Sequence, residues 1–269
     1  MKLWLHQKND GLGHMVVITS AIRALYERKA EPVPVKFDSK RLAQLHAEDE
    51  AIIQIKRAPA YGPLFNSANY GDGEPNLAAW YWEIVRDNCG CEPPMPDPYV
   101  PSCPEPDGLP PRPRIGVVHG SRWLAAYASK KCLPIETRLS MVWDVVGHGY
   151  SVVIFGVKRD WDTFWKQIKD VIPSDACLFF DRNLRDAVGA LQSCDALIAN
   201  DTGMAHVAGG SKVPCLVMGP NMPDHWKVPY GPQHVYVSDS DPDAQRERLV
   251  EFLRTDREER VDIPECVPA

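Results

Sequence analysis

The apolar run Ala196-Leu197-Ile198-Ala199 stops at Asn200-Asp201-Thr202-Gly203, and a second apolar run follows over 214–218 after a short segment rich in Ala and Gly. Each run is too short for a helix and continuous rather than alternating, which reads as a strand buried on both faces. The residues between them read as a Gly-containing turn and a short helix. Strand, helix and strand in this order make a parallel pair, so the chain belongs to the α/β class. A helix beginning near Gly203 would aim unpaired backbone N–H groups at the carboxyl edge of that sheet, where an anion such as a diphosphate fits.

The alternation extends over the second half of the chain. Strands are expected over 115–119, 151–155, 177–180, 196–199, 214–218 and 235–237, and helices over 135–146, 161–171, 184–191 and 244–253. Strands and helices in turn give a parallel sheet covered on both faces. The first half reads as a strand over 2–6, a helix over 15–29, a strand over 33–37 and an apolar-aromatic helix over 76–87. Between the halves, ten of the 25 prolines fall in 93–113, a segment that can form neither a helix interior nor a central strand. The expected organisation is an N-terminal lobe over 1–92, an extended Pro-rich linker over 93–113, and a C-terminal lobe over 114–269.

Composition narrows the function classes. A chain of 269 residues with 44% hydrophobic and 25% charged residues is globular and long enough for two lobes. No stretch approaches the ~20 apolar residues of a membrane span, so a cytoplasmic protein is expected. The net charge of −6 gives no general attraction for nucleic acid or anionic membranes. The eight cysteines lack a paired Cys-x-x-Cys and are expected to be reduced, with no metal site.

A second Gly-containing turn, Asn9-Asp10-Gly11-Leu12-Gly13-His14, directly follows the first strand. Glycines at such a turn let the backbone approach a ligand closely, and His14 near the helix start would face the cleft between lobes.

Asp201, Thr202, Gly203, His206 and Ala208 resemble the Asp-Ser/Thr-Gly-x-x-His-x-Ala signature of family 9 glycosyltransferases, which include the lipopolysaccharide heptosyltransferases. The segment from Gly13-His14 to Ala21-Ile22-Arg23-Ala24-Leu25 resembles the N-terminal Gly-Asp-x-x-x-x-x-Pro-Ala-x-Arg-Ala-Leu segment of that family. The resemblance implies a GT-B-like fold: two Rossmann-like lobes, each with a parallel sheet, and a nucleotide-sugar donor in the interlobe cleft. It also implies that residue 14 is the catalytic base, with His14 standing where the family carries an Asp. Imidazole, with an unperturbed pKa of ~6.5, suits proton abstraction from an acceptor hydroxyl at neutral pH. Asp10 is the competing base or a partner of His14; simple capping roles for both remain open.

In the second lobe, Val118-His119-Gly120-Ser121-Arg122 and Lys131-Cys132-Leu133-Pro134 lie where the family has a Gly-containing turn and a Lys-x-Trp-Pro motif. By this resemblance Gly13, Arg122, Lys131 (or the adjacent Lys130), Asp201, Thr202, Gly203 and His206 hold the donor. Asp201 either contacts donor sugar hydroxyls or caps the helix. His206 either faces phosphate or fixes the turn from behind. The stretch Gly219-Pro220 to Tyr230-Gly231-Pro232 resembles the family's Gly-Pro-Thr-x-Pro…Trp-x-Pro-Tyr-Gly and reads as an ordered loop.

The implied reaction is metal-independent inverting transfer of a sugar from a nucleoside-diphosphate donor to a hydroxyl acceptor. No cofactor is expected. The acceptor would be a glycan of the lipopolysaccharide type or a hydroxymethylated base of viral DNA. A nucleotide-sugar hydrolase or epimerase, and a non-catalytic sugar-nucleotide binding module, are the alternative readings.

Overall fold

The structure, a computed structural model, describes residues 5–7, 12–57, 77–91, 96–118, 133–158, 162, 166, 169–219, 227–228, 230–239 and 241–261. The N-terminal part holds β1 (Leu5–Gln7), α1 (Leu12–Lys29), β2 (Val33–Phe37), α2 (Lys40–Leu45), β3 (Ile52–Gln54) and α3 (Leu77–Cys89). Its strands form a parallel sheet in the order β1-β2-β3, with Leu5 opposite Val35 and Val33 opposite Ile52. Leu5 and Val35 are fully buried, and α1 presents Met15, Ile18, Ile22 and Leu25 to the same core.

The C-terminal part runs β4 (Arg114–Val118), α4 (Ile135–Gly147), β5 (Ser151–Gly156), β6 (Cys177–Phe180), α5 (Leu184–Gln192), β7 (Ala196–Ala199), α6 (Gly203–Gly210), β8 (Cys215–Gly219), β9 (His234–Ser238) and α7 (Pro242–Val261). All six strands are parallel, in the order β6-β5-β4-β7-β8-β9. That is the doubly wound order, in which chain direction across the sheet reverses between the first strand and the fourth, here β4 and β7. The central strands β4, β7 and β8 are buried at every position, as expected of strands covered by helices on both faces. Gly116 lets this sheet pack tightly, since a Cβ there would stand 2.8 Å from Leu197 Cδ1 and 2.9 Å from Phe155 Cε2.

One face of the six-stranded sheet packs under α4 and α7 through Ile115, Val117, Ile198, Leu216, Met141, Val145 and Leu249. The other face carries α5 and α6, and its core continues without a break through Val100 and Cys103 into Met15, Val16 and Leu5 of the N-terminal part. The two sheets therefore share apolar contacts along α1 and α6.

The Pro-rich segment has no helix or strand over 96–113, and it is tied down on both sides. Toward α1, the Tyr99 N–H donates to Thr19 Oγ1 (2.8 Å), Ser20 Oγ donates to the Pro96 carbonyl, and the Tyr99 hydroxyl reaches the Asp49 carboxylate at 2.9 Å. Toward the second sheet, the Val100 N–H donates to Gly210 O (3.2 Å) and the Cys103 N–H to Gln192 Oε1 (2.8 Å). Arg114, 3% exposed, anchors the far end by donating to Pro110 O, Ser193 O and Glu105 Oε1. The segment is a strap: isolated apolar residues among the prolines find partners on both lobes.

Candidate active site

The strand order places the end of β7 beside the end of β4, with Ile115 to Val118 opposite Ala196 to Ala199. Asn200, fully buried, continues this pairing by donating its N–H to Val118 O (3.2 Å). The chain then turns through Asp201 and Thr202 into α6. Open parallel sheets bind ligands at the carboxyl ends of the strands where the order reverses, and Asn200 to Gly203 occupy that point.

Three glycines bring α1 against α6. A Cβ at Gly203 would lie 2.7 Å from Leu12 Cβ and 3.3 Å from the Gly13 nitrogen. One at Gly13 would lie 2.5 Å from His206 Cδ2 and 3.0 Å from its Nε2, and one at Gly210 would lie 2.7 Å from Val16 Cγ1. Contacts advance in the same sense along both helices, from 13 with 203 and 206 to 16 with 210. The helices therefore run side by side in one direction, with both N-termini at the same place. Each N-terminus carries roughly half a positive charge and N–H groups without intrahelical partners. Neither first turn contains an acidic residue. Two helices, one from each lobe, thus point their positive ends at one locus, an arrangement suited to an anion.

Polar side chains cluster at that locus. His206 pairs its Nδ1 with the Tyr230 hydroxyl at 2.8 Å, and its Nε2 lies 3.9 Å from Asp201 Oδ1. Thr202, at the N-cap position of α6, makes no capping bond through its side chain. His14, on the first turn of α1, is held neutral: burial, and then the neighbouring His206, push its pKa down to about 4. A neutral imidazole there can accept a hydrogen bond or a proton from a hydroxyl group.

Behind α6 an aromatic column continues to β9. The Tyr230 ring packs flat on Gly209, where a Cβ would stand 2.2 Å from Tyr230 Cγ. His234 follows at 4.9 Å between ring centroids and Tyr236 at 5.0 Å beyond it. Burial, followed by His206, lowers the His234 pKa to about 3, and neither of its ring nitrogens has a hydrogen-bond partner among the described residues. Burial also raises the Tyr230 phenol well above its usual range, so it stays protonated.

Of the residues expected from sequence, the structure brings Gly13, His14, Asp201, Thr202, Gly203 and His206 together. Asp10, Arg122, Lys131 and the adjacent Lys130 lie outside the described residues. Among the described residues no group of three or more His, Cys, Asp or Glu side chains is set to hold a metal ion. No described helix is long and apolar enough to cross a membrane.

Residues 102–254, which include the whole turn and the column behind it, match Glycosyltransferase family 9 (heptosyltransferase). The chain belongs to glycosyltransferase family 9. Among its relatives, lipooligosaccharide heptosyltransferase 2 of Haemophilus influenzae is 27% identical over 120 residues. That stretch covers 42% of this chain and 33% of the relative, so the match spans a third of the length of the curated protein. The solved structure of the ADP-heptose lipopolysaccharide heptosyltransferase II of E. coli has a TM-score of 0.76 at 17% identity, covering 97% of this chain and 100% of that one. A family 9 glycosyltransferase from Veillonella parvula has a TM-score of 0.68 at 17% identity, covering 98% and 92%. These two structures establish the likeness in fold, the GT-B arrangement of two α/β lobes, across nearly the whole chain.

The family 9 match does not reach Gly13 and His14; their contact with Gly203 and His206 is what joins them to the site. Sequence reasoning placed Tyr230 in the family-like loop without a role of its own and passed over His234. Gly209-Gly210 close α6, where glycine is common, so they gave little signal; the Tyr230-Gly231 pair of the family-like loop was the available one.

Proposed function

We propose that this family 9 chain is a glycosyltransferase that moves a sugar from a nucleoside-diphosphate donor to a hydroxyl acceptor. The observation that carries the reading is the convergence of the α1 and α6 N-termini at the strand-order reversal. In displacement at the anomeric carbon, the bond from that carbon to the diphosphate oxygen breaks, and negative charge grows on the leaving diphosphate. Fixed positive dipoles stabilise such a leaving group without reorganising during reaction. An enzyme built this way can dispense with a metal, so we infer metal-independent transfer. With one base and one displacement, the anomeric configuration inverts.

The base would take the acceptor hydroxyl proton as its oxygen attacks. His14 is in the right protonation state to do so, being neutral over the physiological range. A bound diphosphate beside it would favour its protonated form and strengthen it as a base. Asp10 is the competing candidate. Asp201, at the mouth of α6, suits sugar hydroxyls better than phosphate, because two anions repel.

The E. coli protein of the same fold is described by its donor, ADP-heptose, which makes ADP-heptose and other nucleoside-diphosphate sugars the first compounds to test. The decisive assay is transfer from radiolabelled donors to a panel of acceptors, comprising lipid A-core glycans and hydroxymethylated DNA. Acceptor-dependent transfer, lost in His14→Ala with donor affinity retained, supports the reading. Release of free sugar at a rate no acceptor changes would identify a hydrolase. No binding of any nucleotide sugar would overturn the donor site itself.

A further inference from the structure

We propose that Tyr230 is a positioning residue for the donor site: its hydroxyl locks His206 in the tautomer that carries the proton on Nε2, aiming a neutral N–H donor at the joined helix N-termini. This rests on the reading of that locus as the diphosphate site. The geometry has three parts. Tyr230 is 4% exposed, and its hydroxyl lies 2.8 Å from His206 Nδ1, its partner among the described residues. Its ring is clamped on Gly209, so the hydroxyl cannot swing away. The opposite imidazole nitrogen, Nε2, faces Asp201 Oδ1 at 3.9 Å and the start of α1 at Gly13.

A phenol has one proton to give, and a buried O–H without an acceptor carries a desolvation penalty. If the imidazole proton sat on Nδ1, it would donate to the phenol oxygen and leave the phenol proton unsatisfied. If it sits on Nε2, Nδ1 accepts from the phenol and both groups are satisfied. The second state is favoured, by roughly tenfold for a penalty of ordinary size. A histidine set this way presents a hydrogen-bond donor to an anion or a sugar oxygen without first having to become charged. Should His206 take up a second proton beside a bound anion, the phenol oxygen turns acceptor and Nδ1 keeps its partner. The hydroxyl therefore serves both charge states, which neither a carbonyl nor an amide nitrogen could do.

The test joins spectroscopy with binding on the full-length protein. Long-range proton–nitrogen NMR of the histidine rings, assigned by loss of signals in His206→Gln, should show His206 of the wild type as the Nε2–H tautomer. Tyr230→Phe keeps the ring on Gly209 and removes the hydroxyl; it should mix the tautomers and weaken binding of ADP, measured by calorimetry, about tenfold. In the His206→Gln background the same change should have no further effect on ADP affinity. An Nδ1–H tautomer in the wild type overturns the proposal, and this reading holds even if Tyr230→Phe does not fold. An equal loss of affinity in the His206→Gln background also overturns it, because Tyr230 would then act by another route. A wild type that shows the Nε2–H tautomer but binds no ADP supports the positioning role and counts against the donor site.

Discussion

Adding one methyl group to Gly203 tests whether the paired helix starts form the anion site. The new Cβ would stand 2.7 Å from Leu12 Cβ and 3.3 Å from the Gly13 nitrogen. Carbon atoms rest at about 3.5–4.0 Å, so α1 and α6 must separate locally by about 1 Å. Neither neighbour is the end of a flexible side chain. Overpacking of this kind costs about 1–3 kcal/mol, which for a chain of this size lowers Tm by roughly 3–8 °C. The same displacement moves one set of first-turn N–H groups out of register with the other. An anion held by two helix ends at up to ~2 kcal/mol each should then bind at least tenfold more weakly. Gly210→Ala is the control. Its Cβ would press on Val16 Cγ1 at 2.7 Å and Val100 Cγ2 at 3.0 Å, in the same seam but about 10 Å further along the helix. It should lower Tm, offset in part by the gain of up to ~1 kcal/mol from replacing a helical glycine, and leave nucleotide affinity within about twofold. Thermal unfolding and calorimetry with ADP on both variants decide the matter. Equal loss of affinity in both, or unchanged affinity in Gly203→Ala, refutes the reasoning.

Acid should unfold the protein early. An unfolded histidine titrates near 6.5, whereas His14 and His234 are depressed to about 4 and about 3 in the fold. The unfolded chain therefore binds the extra protons as pH falls below ~6.5, and stability drops from its neutral-pH value by about 2 kcal/mol per imidazole at pH 5; urea titrations giving equal midpoints at pH 5 and 8 would contradict this. His234→Phe removes two unsatisfied ring nitrogens from the aromatic column and should stabilise the protein by about 1–2 kcal/mol at pH 7, while flattening that pH dependence; a lowered Tm would mean that His234 is held for another purpose. Arg114→Met leaves Glu105 and the Pro110 and Ser193 carbonyls without their buried donor, while the backbone N–H keeps its bond to Asp195, and should cost about 2–3 kcal/mol with early proteolytic cleavage of the strap. Protease resistance equal to wild type would show that the strap is secured elsewhere.

The second lobe was legible because its strands are continuous apolar runs of four to six residues closed by Asn, Asp or Gly, and its sheet is buried on both faces. Expected and observed strands agree at 177–180 and 196–199, and within two residues elsewhere in that sheet. The short pieces α2 and β3 were missed: Lys40–Leu45 and Ile52–Gln54 are six and three residues long, below the length at which periodicity separates helix from strand. The helix expected over 161–171 falls largely outside the described residues. The extended character of the strap follows from its prolines, but its docking does not, since Val100 and Cys103 are single apolar residues whose partners sit on α1, α5 and α6. The turn at Asp201 to Gly203 was visible as a motif. The pairing of His206 with Tyr230, 24 residues on, arises from how β9 and α6 are stacked, and no local pattern encodes it.

The strap has a mechanical consequence. Bonds from residues 96–104 reach Thr19 and Ser20 on α1 and Gln192 and Gly210 at the far ends of α5 and α6, so they sew the lobes together at the end of the seam opposite the helix N-termini. The Arg185–Glu48 ion pair (3.0 Å) also joins the lobes, but an exposed pair adds little stiffness, so a seam held this way would yield most at its other end. Relative motion of the lobes would then pivot near Gly210, with an amplitude growing along the helices toward Leu12 and Gly203. The place where the lobes can part most freely is thus the place where the donor's diphosphate would enter and leave.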